Sequence, residues 1–130
     1  VITTEAPDCL IVTGMPGAGK STVTRLVAER LPRSARFGGD EVNRMIVSGF
    51  VWALGEPADE AARQVELLHR NLCALANNFA DAGFTPLIDA MVPSREKLDF
   101  FLDLLGQHYA VLRQGDLHLV GDENPGRRPS

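Results

Sequence analysis

The sequence predicts a three-layer α/β sandwich built around a mainly parallel sheet. Two observations carry that expectation. Short apolar runs rich in β-branched residues, the kind buried on both faces of a parallel sheet, occur at "CLIVT" (Cys9 to Thr13) and "FTPLIDAM" (Phe84 to Met91). Between and after these runs, apolar residues recur three and four positions apart, which is the period of a helix. Strands and helices alternate, with no internal repeat.

Taken in order, residues 1–8 read as a loose lead-in, and Cys9 to Thr13 as the first strand. Val23, Leu26, Val27 and Leu31 step at helical spacing until Pro32 stops them. "SARFGGDEVNRMIVSGF" (Ser34 to Phe50) suggests a short second strand that turns at Gly38-Gly39 into a helix beginning near Asp40. Pro57 and Asp59 then precede the strongest helical pattern: Val65, Leu68, Leu72, Leu75 and Phe79, with Gly83 as the C-terminal stop. Phe84 to Met91 is the next strand, with Pro86 near its start. Ser94 can cap a helix carrying Leu98, Phe101, Leu102 and Leu105, which ends at Gly106. "YAVLR" and "DLHLV" are strand-like, but Gln114-Gly115 between them is too short for a parallel crossover, so a hairpin is expected. "GDENPGRRPS" reads as a polar tail. The expected organisation is a lead-in over 1–8, a core over 9–106, and a C-terminal hairpin and tail over 107–130.

A length of 130 residues suits one domain, and 45% apolar with 23% charged residues is ordinary for a soluble globular chain. No apolar stretch is long enough to span a membrane, and the N-terminus has no signal-like core. Cys9 and Cys73 fall on a buried strand and a helix, as reduced thiols of a cytoplasmic protein would. The net charge of −4 gives no general pull toward nucleic acid.

The chemistry begins at "TGMPGAGKST", residues 13–22. Gly14-x4-Gly19-Lys20-Ser21 fits the phosphate-cradling pattern G-x-x-x-x-G-K-[ST], and it lies between a predicted strand and a predicted helix, as that pattern requires. Gly14, Met15, Pro16, Gly17, Ala18, Gly19, Lys20, Ser21 and Thr22 would form the site for the phosphates of ATP. Lys20, one of only two lysines against eleven arginines, would reach the β- and γ-phosphates. The Ser21 hydroxyl would coordinate Mg²⁺.

Phosphoryl transfer also needs an acceptor hydroxyl and a carboxylate to take its proton. Asp40, just past a predicted strand and a glycine pair, is the candidate catalytic base, although Asp is also a good helix N-cap. Asp89 ends an apolar run where a carboxylate can hold Mg²⁺, as a Walker-B aspartate does, or where an Asp turns the chain out of the strand. Phe50 and Trp52 are candidates for the wall of an acceptor pocket, with ordinary packing the other reading. His69 and Cys73, four apart on a helix, are too few to make a metal site, and His108 and His118 add nothing to them.

"IVTGMPGAGKST", "RFGGDEVNRMI" and "PLIDAMV" together resemble the P-loop kinases grouped with chloramphenicol phosphotransferase, zeta-toxin-like proteins and the kinase domain of polynucleotide kinase. In the first of these branches a Gly-x-Asp after the second strand supplies the base, and Gly38-Gly39-Asp40 matches it. The resemblance spans residues 9 to 106 and implies ATP and Mg²⁺. It also implies a small-molecule hydroxyl acceptor, an antibiotic among them. Such kinases continue with a fourth parallel strand, an arginine-bearing lid, a fifth strand and a final helix. The segment after Gly106 departs from that pattern, so the expected fold is a P-loop NTPase lacking the usual C-terminal lid and last strands. Its open sheet edge would invite self-association. The alternatives are a non-catalytic nucleotide-binding remnant and a polynucleotide 5′-hydroxyl kinase. No Asn-Lys-x-Asp guanine-reading sequence occurs, which disfavours a GTPase switch.

Overall fold

The computed structural model describes residues 9–13, 20–92, 94–106 and 109–112, with Lys20, Ser21 and Leu112 described by backbone alone. Eight elements follow one another: β1 (Cys9–Val12), α1 (Lys20–Glu29), β2 (Ser34–Gly38), α2 (Gly39–Asn43), α3 (Ala58–Asp81), β3 (Thr85–Asp89), α4 (Arg95–Leu104) and β4 (Tyr109–Leu112). The four strands form one sheet in the order β2-β3-β1-β4, and every pairing is parallel.

Alternation along the strands divides the sheet into two faces. Ile11 lies beside Ile88, and Ile88 beside Phe37, so these three share a face. That face meets Leu72, Cys73 and Ala76 of α3 and Phe101 of α4, which together with Cys9 and Ile88 make the buried core. The opposite face carries Leu87 and Arg36, and the Arg36 Nε donates to Thr24 Oγ1 of α1 at 3.1 Å. Right-handed crossovers require this arrangement. The step from β1 to β2 runs one way across the sheet and the other two crossovers run the opposite way. The result is the expected three layers.

The helix ends follow local chemistry. Ser94 caps α4 by accepting from the Lys97 N–H at 3.1 Å, as its sequence position suggests. At the other end of α4, Asn77 donates to the Leu104 carbonyl and accepts from the Gly106 N–H. Gly83 stops α3 with φ of +92°, where a side chain is strained.

One expectation is corrected. The segment after Gly106 does supply a fourth parallel strand, Tyr109–Leu112. It lies parallel to β1, in register from Cys9↔Tyr109 to Val12↔Leu112, and is the outermost strand among the described residues. Two things favour this: α4 provides the crossover, and Val111 packs against the core. The second arm of the expected hairpin, Asp116 to Val120, lies outside the described residues, as do residues 1–8 and the polar tail. No helix among the described residues is long and apolar enough to cross a membrane.

Candidate active site

Ligands of open parallel sheets bind outside the carboxyl ends of the strands, where neighbouring strands send their connections in opposite directions. Here that point falls between β1 and β3. From β1 the chain runs toward β2; from β3 it runs past β1 to β4. Gly14 to Gly19, which hold Met15, Pro16, Gly17 and Ala18 as well, connect Thr13 to α1 and lie outside the described residues. The helix that follows begins at Lys20, with Ser21 and the exposed Thr22 in its first turn.

Asp89 stands at this switch point. It pairs in register with Val12 on one side and Gly38 on the other. Just beyond it, the Ala90 N–H donates to the Val12 carbonyl at 3.1 Å, extending the pairing to the residue before the loop strand ends. The alternation of β3 puts Asp89 on the face of Leu87, which is the face α1 covers.

On the far side, β2 runs directly into α2. The sequence leaves Asp40 either as a base or as a helix cap, and the geometry assigns capping to a neighbour. Gly38 occupies the N-cap position, and its N–H donates to Glu41 Oε1 at 2.7 Å. Asp40 lies in the first turn of α2 with an exposed side chain. Gly38 leaves little room for a side chain: a Cβ there would stand 3.1 Å from both the Asp89 carbonyl and Glu41 Oε1. This close approach brings the start of α2 up against the end of β3.

Asp40 borders two openings. One is a small, partly open pocket of about 90 Å³ between α2, the loop after it, α3 and Met91; Gly39, Asn43, Phe50, Leu68 and His69 contribute to its wall. The other is a more open cleft of about 660 Å³ that shares Asp40, Asn43 and Phe50 and adds Arg44, Ile46 and Val47. Phe50 lines both. Trp52 does not; it borders neither opening and lies against Gly55.

Two wall residues were not foreseen. Gln64 accepts from the Val51 N–H at 2.8 Å and donates to the Gly49 carbonyl at 2.9 Å, so α3 holds the loop that lines the pocket. Nothing in a periodic pattern marks a glutamine for such work. His69 is wholly buried, and among the described residues neither ring nitrogen makes a hydrogen bond of ordinary geometry. Burial, with the nearby charge of Lys97, holds its pKa below the usual value, although the Met91 backbone opposes this. Its helical spacing from Leu72 and Val65 did mark it for the inner face, which was the available signal.

The fold is that of the P-loop kinases. The APS kinase of Mycobacterium tuberculosis superposes with a TM-score of 0.64 at 24% identity, covering 81% of this chain and 73% of its own. A sugar kinase from a Janibacter species matches at 0.61 and 18% identity, over 92% of this chain and 68% of its own. A chain of a Pnkp1/Rnl/Hen1 complex matches at 0.56 and 23% identity over 95% of this chain, which spans only 41% of that larger protein. At these identities the likeness is one of fold. No protein-family model and no curated protein matches the sequence.

Proposed function

We propose that the protein is an ATP-dependent kinase that moves the γ-phosphate of ATP to a hydroxyl of a small molecule seated beside Asp40. One observation carries this reading most directly. An exposed carboxylate with no partner among the described residues borders both the small pocket and the open cleft, at the sheet end where β1 leads into the glycine loop. In the reaction, the acceptor oxygen bonds to the γ-phosphorus while the bond to the β,γ-bridging oxygen breaks. ADP leaves, and the hydroxyl proton passes to Asp40.

The remaining residues hold the phosphates. Backbone N–H groups of Gly14 to Gly19 and the start of α1 favour an anion, Thr22 adds a hydroxyl, and Lys20 neutralises charge on the β- and γ-phosphates. Ser21 and Asp89 suit Mg²⁺, because a hydroxyl and a carboxylate are hard oxygen donors and the alternation of β3 turns Asp89 to the side of α1. When bound, the ion would neutralise phosphate charge. The small volume of the pocket and the net charge of −4 both favour a small acceptor over a nucleic-acid end.

Asp40→Asn keeps the shape and removes the base, so Mg·ATP binding should persist while transfer falls by about 10²–10⁴. Transfer at the wild-type rate in this variant would remove Asp40 from the mechanism. If the wild-type protein binds Mg·ATP but labels no acceptor in a hydroxylated panel above background, it is a nucleotide-binding protein without transferase activity.

A further inference from the structure

The loop between α2 and α3 turns apolar side chains outward in a way that the transfer chemistry does not use. Met45, Val47, Phe50, Trp52 and Leu54 are 74, 95, 46, 57 and 78% exposed. At roughly 175 Å² for a fully exposed side chain of this size, the five offer on the order of 600 Å². The largest apolar patch on a typical monomer is about 300–600 Å². Each partner in a standard specific interface contributes about 800 Å². The loop is also firmly held. Gln64 grips it on both sides of Phe50, at the Gly49 carbonyl and the Val51 N–H. The surface is therefore formed before a partner arrives, and little ordering entropy is lost on binding.

Charge decides which partner fits. No charged residue occurs from Met45 to Gly55, but Arg44 flanks the segment on one side and Glu56 on the other. Both flanking side chains are exposed, and neither makes an ion pair among the described residues. Phe50 is the midpoint between them in the chain. We propose that the protein pairs with a second copy of itself through this loop, about a two-fold axis close to Phe50. A two-fold interface uses one self-complementary patch twice. With the loops antiparallel, Arg44 of each copy meets Glu56 of the other, and the apolar side chains are covered between these two pairs. The ion pairs fix the orientation, and the apolar burial supplies the affinity. A membrane surface fits less well. Segments that lie on lipid carry several Lys or Arg beside their apolar residues, whereas here one Arg is offset by one Glu in a chain of net charge −4. Because Arg44, Val47 and Phe50 also line the open cleft, the second copy borders that cleft too. The pairing needs neither Asp40 as a base nor the phosphate loop, so it does not rest on the kinase reading.

Trp52 is the only tryptophan of the chain, so its emission reports on this loop alone. In sedimentation velocity over about 1–100 μM, where interfaces of modest quality associate, the full chain should pass from monomer to dimer. Trp52 emission should shift to the blue over the same range. Val47 is almost wholly exposed, so Val47→Asp leaves the packing of the monomer intact. It should weaken pairing at least about tenfold by placing a carboxylate in the apolar centre. Arg44→Glu and Glu56→Arg should each self-associate about tenfold more weakly, because each sets like charges face to face. Mixed in equal amounts, these two variants should pair with each other at close to wild-type strength, since both ion pairs are then restored across the interface. A wild-type chain that stays monomeric throughout, a dimer indifferent to Val47→Asp, or a mixture no more dimeric than its components would overturn the inference. So would a monomer whose Trp52 emission shifts only with phosphatidylcholine vesicles, which would make the occupant a membrane.

Discussion

His69 and Cys73 stand one turn apart on α3, and burial moves their proton affinities in opposite directions. His69 is held below its ordinary pKa, whereas desolvation first and Cys9 second push the Cys73 thiol up to about 12. The thiol keeps its proton partly by donating to the Phe101 carbonyl at 3.3 Å. Stability should therefore decline at both ends of the pH scale. As pH falls below 6.5, the unfolded chain binds a proton that the buried ring refuses, and the loss continues until the folded pKa is passed. As pH rises above 9.0, the unfolded thiol releases a proton that the folded one retains, so stability falls again toward about 12. Urea midpoints at pH 5, 8 and 10 should show the fall on both sides. His69→Phe should flatten the acid side and Cys73→Ala the alkaline side; slopes unchanged in these variants would assign the pH dependence to other groups. Residues of this kind test the limits of the sequence. The helical period places His69 on the buried face but cannot show what its nitrogens meet there. Similarly, "GGDE" offers two carboxylates for one cap, and only the fold assigns it to Glu41.

Among the elements, α3 is the most legible and β4 the least. The steps Val65, Leu68, Leu72, Leu75 and Phe79 announce α3, and Gly83 ends it through a Schellman motif. The Phe84 N–H donates to the Phe79 carbonyl and the Gly83 N–H to that of Ala80, both at 3.0 Å, while the Phe79 and Phe84 rings meet at 6.2 Å. Arg33 closes the motif from outside. It lies 4.1 Å over the Phe84 ring and donates to the carbonyls of Ala82 and Gly83. Gly83→Ala forces a Cβ into a left-handed conformation and should cost about 1–2 kcal/mol. Thermal melting should drop by roughly 5 °C or more; an unchanged midpoint would mean that the turn relaxes at no cost. β4 could not be read so well. Four residues of strand character do not say which neighbour they pair with, and that choice depends on α4 and the free edge of β1.

At the scale of the molecule, alternating strand and helix patterns were enough to give the layers and the direction of the sheet. Strand order was not available to them, because it comes from contacts among residues far apart in the chain. That order, β2-β3-β1-β4, with every pairing parallel, gathers the end of β1, Asp89 and Asp40 at one end of the sheet. A ligand bound there should stabilise the whole fold by mass action. Mg·ATP at a hundred times its Kd should add about 2.7 kcal/mol and raise the melting temperature measured by calorimetry. Lys20→Ala, which loses a charge-assisted contact of about 1.5–3 kcal/mol, should need at least about ten times more nucleotide for the same rise. A full rise in that variant at unchanged concentration would relieve Lys20 of its role. The position of Asp89 carries one more consequence, which concerns the gene. Because β3 is read against β1 and β2 at once, its residue count is constrained as tightly as its chemistry. One codon inserted between Thr85 and Ile88 would keep the hydrophobic composition yet turn the carboxylate from the side of α1 to that of α3. Two codons would restore the face, so insertions here should be tolerated by parity.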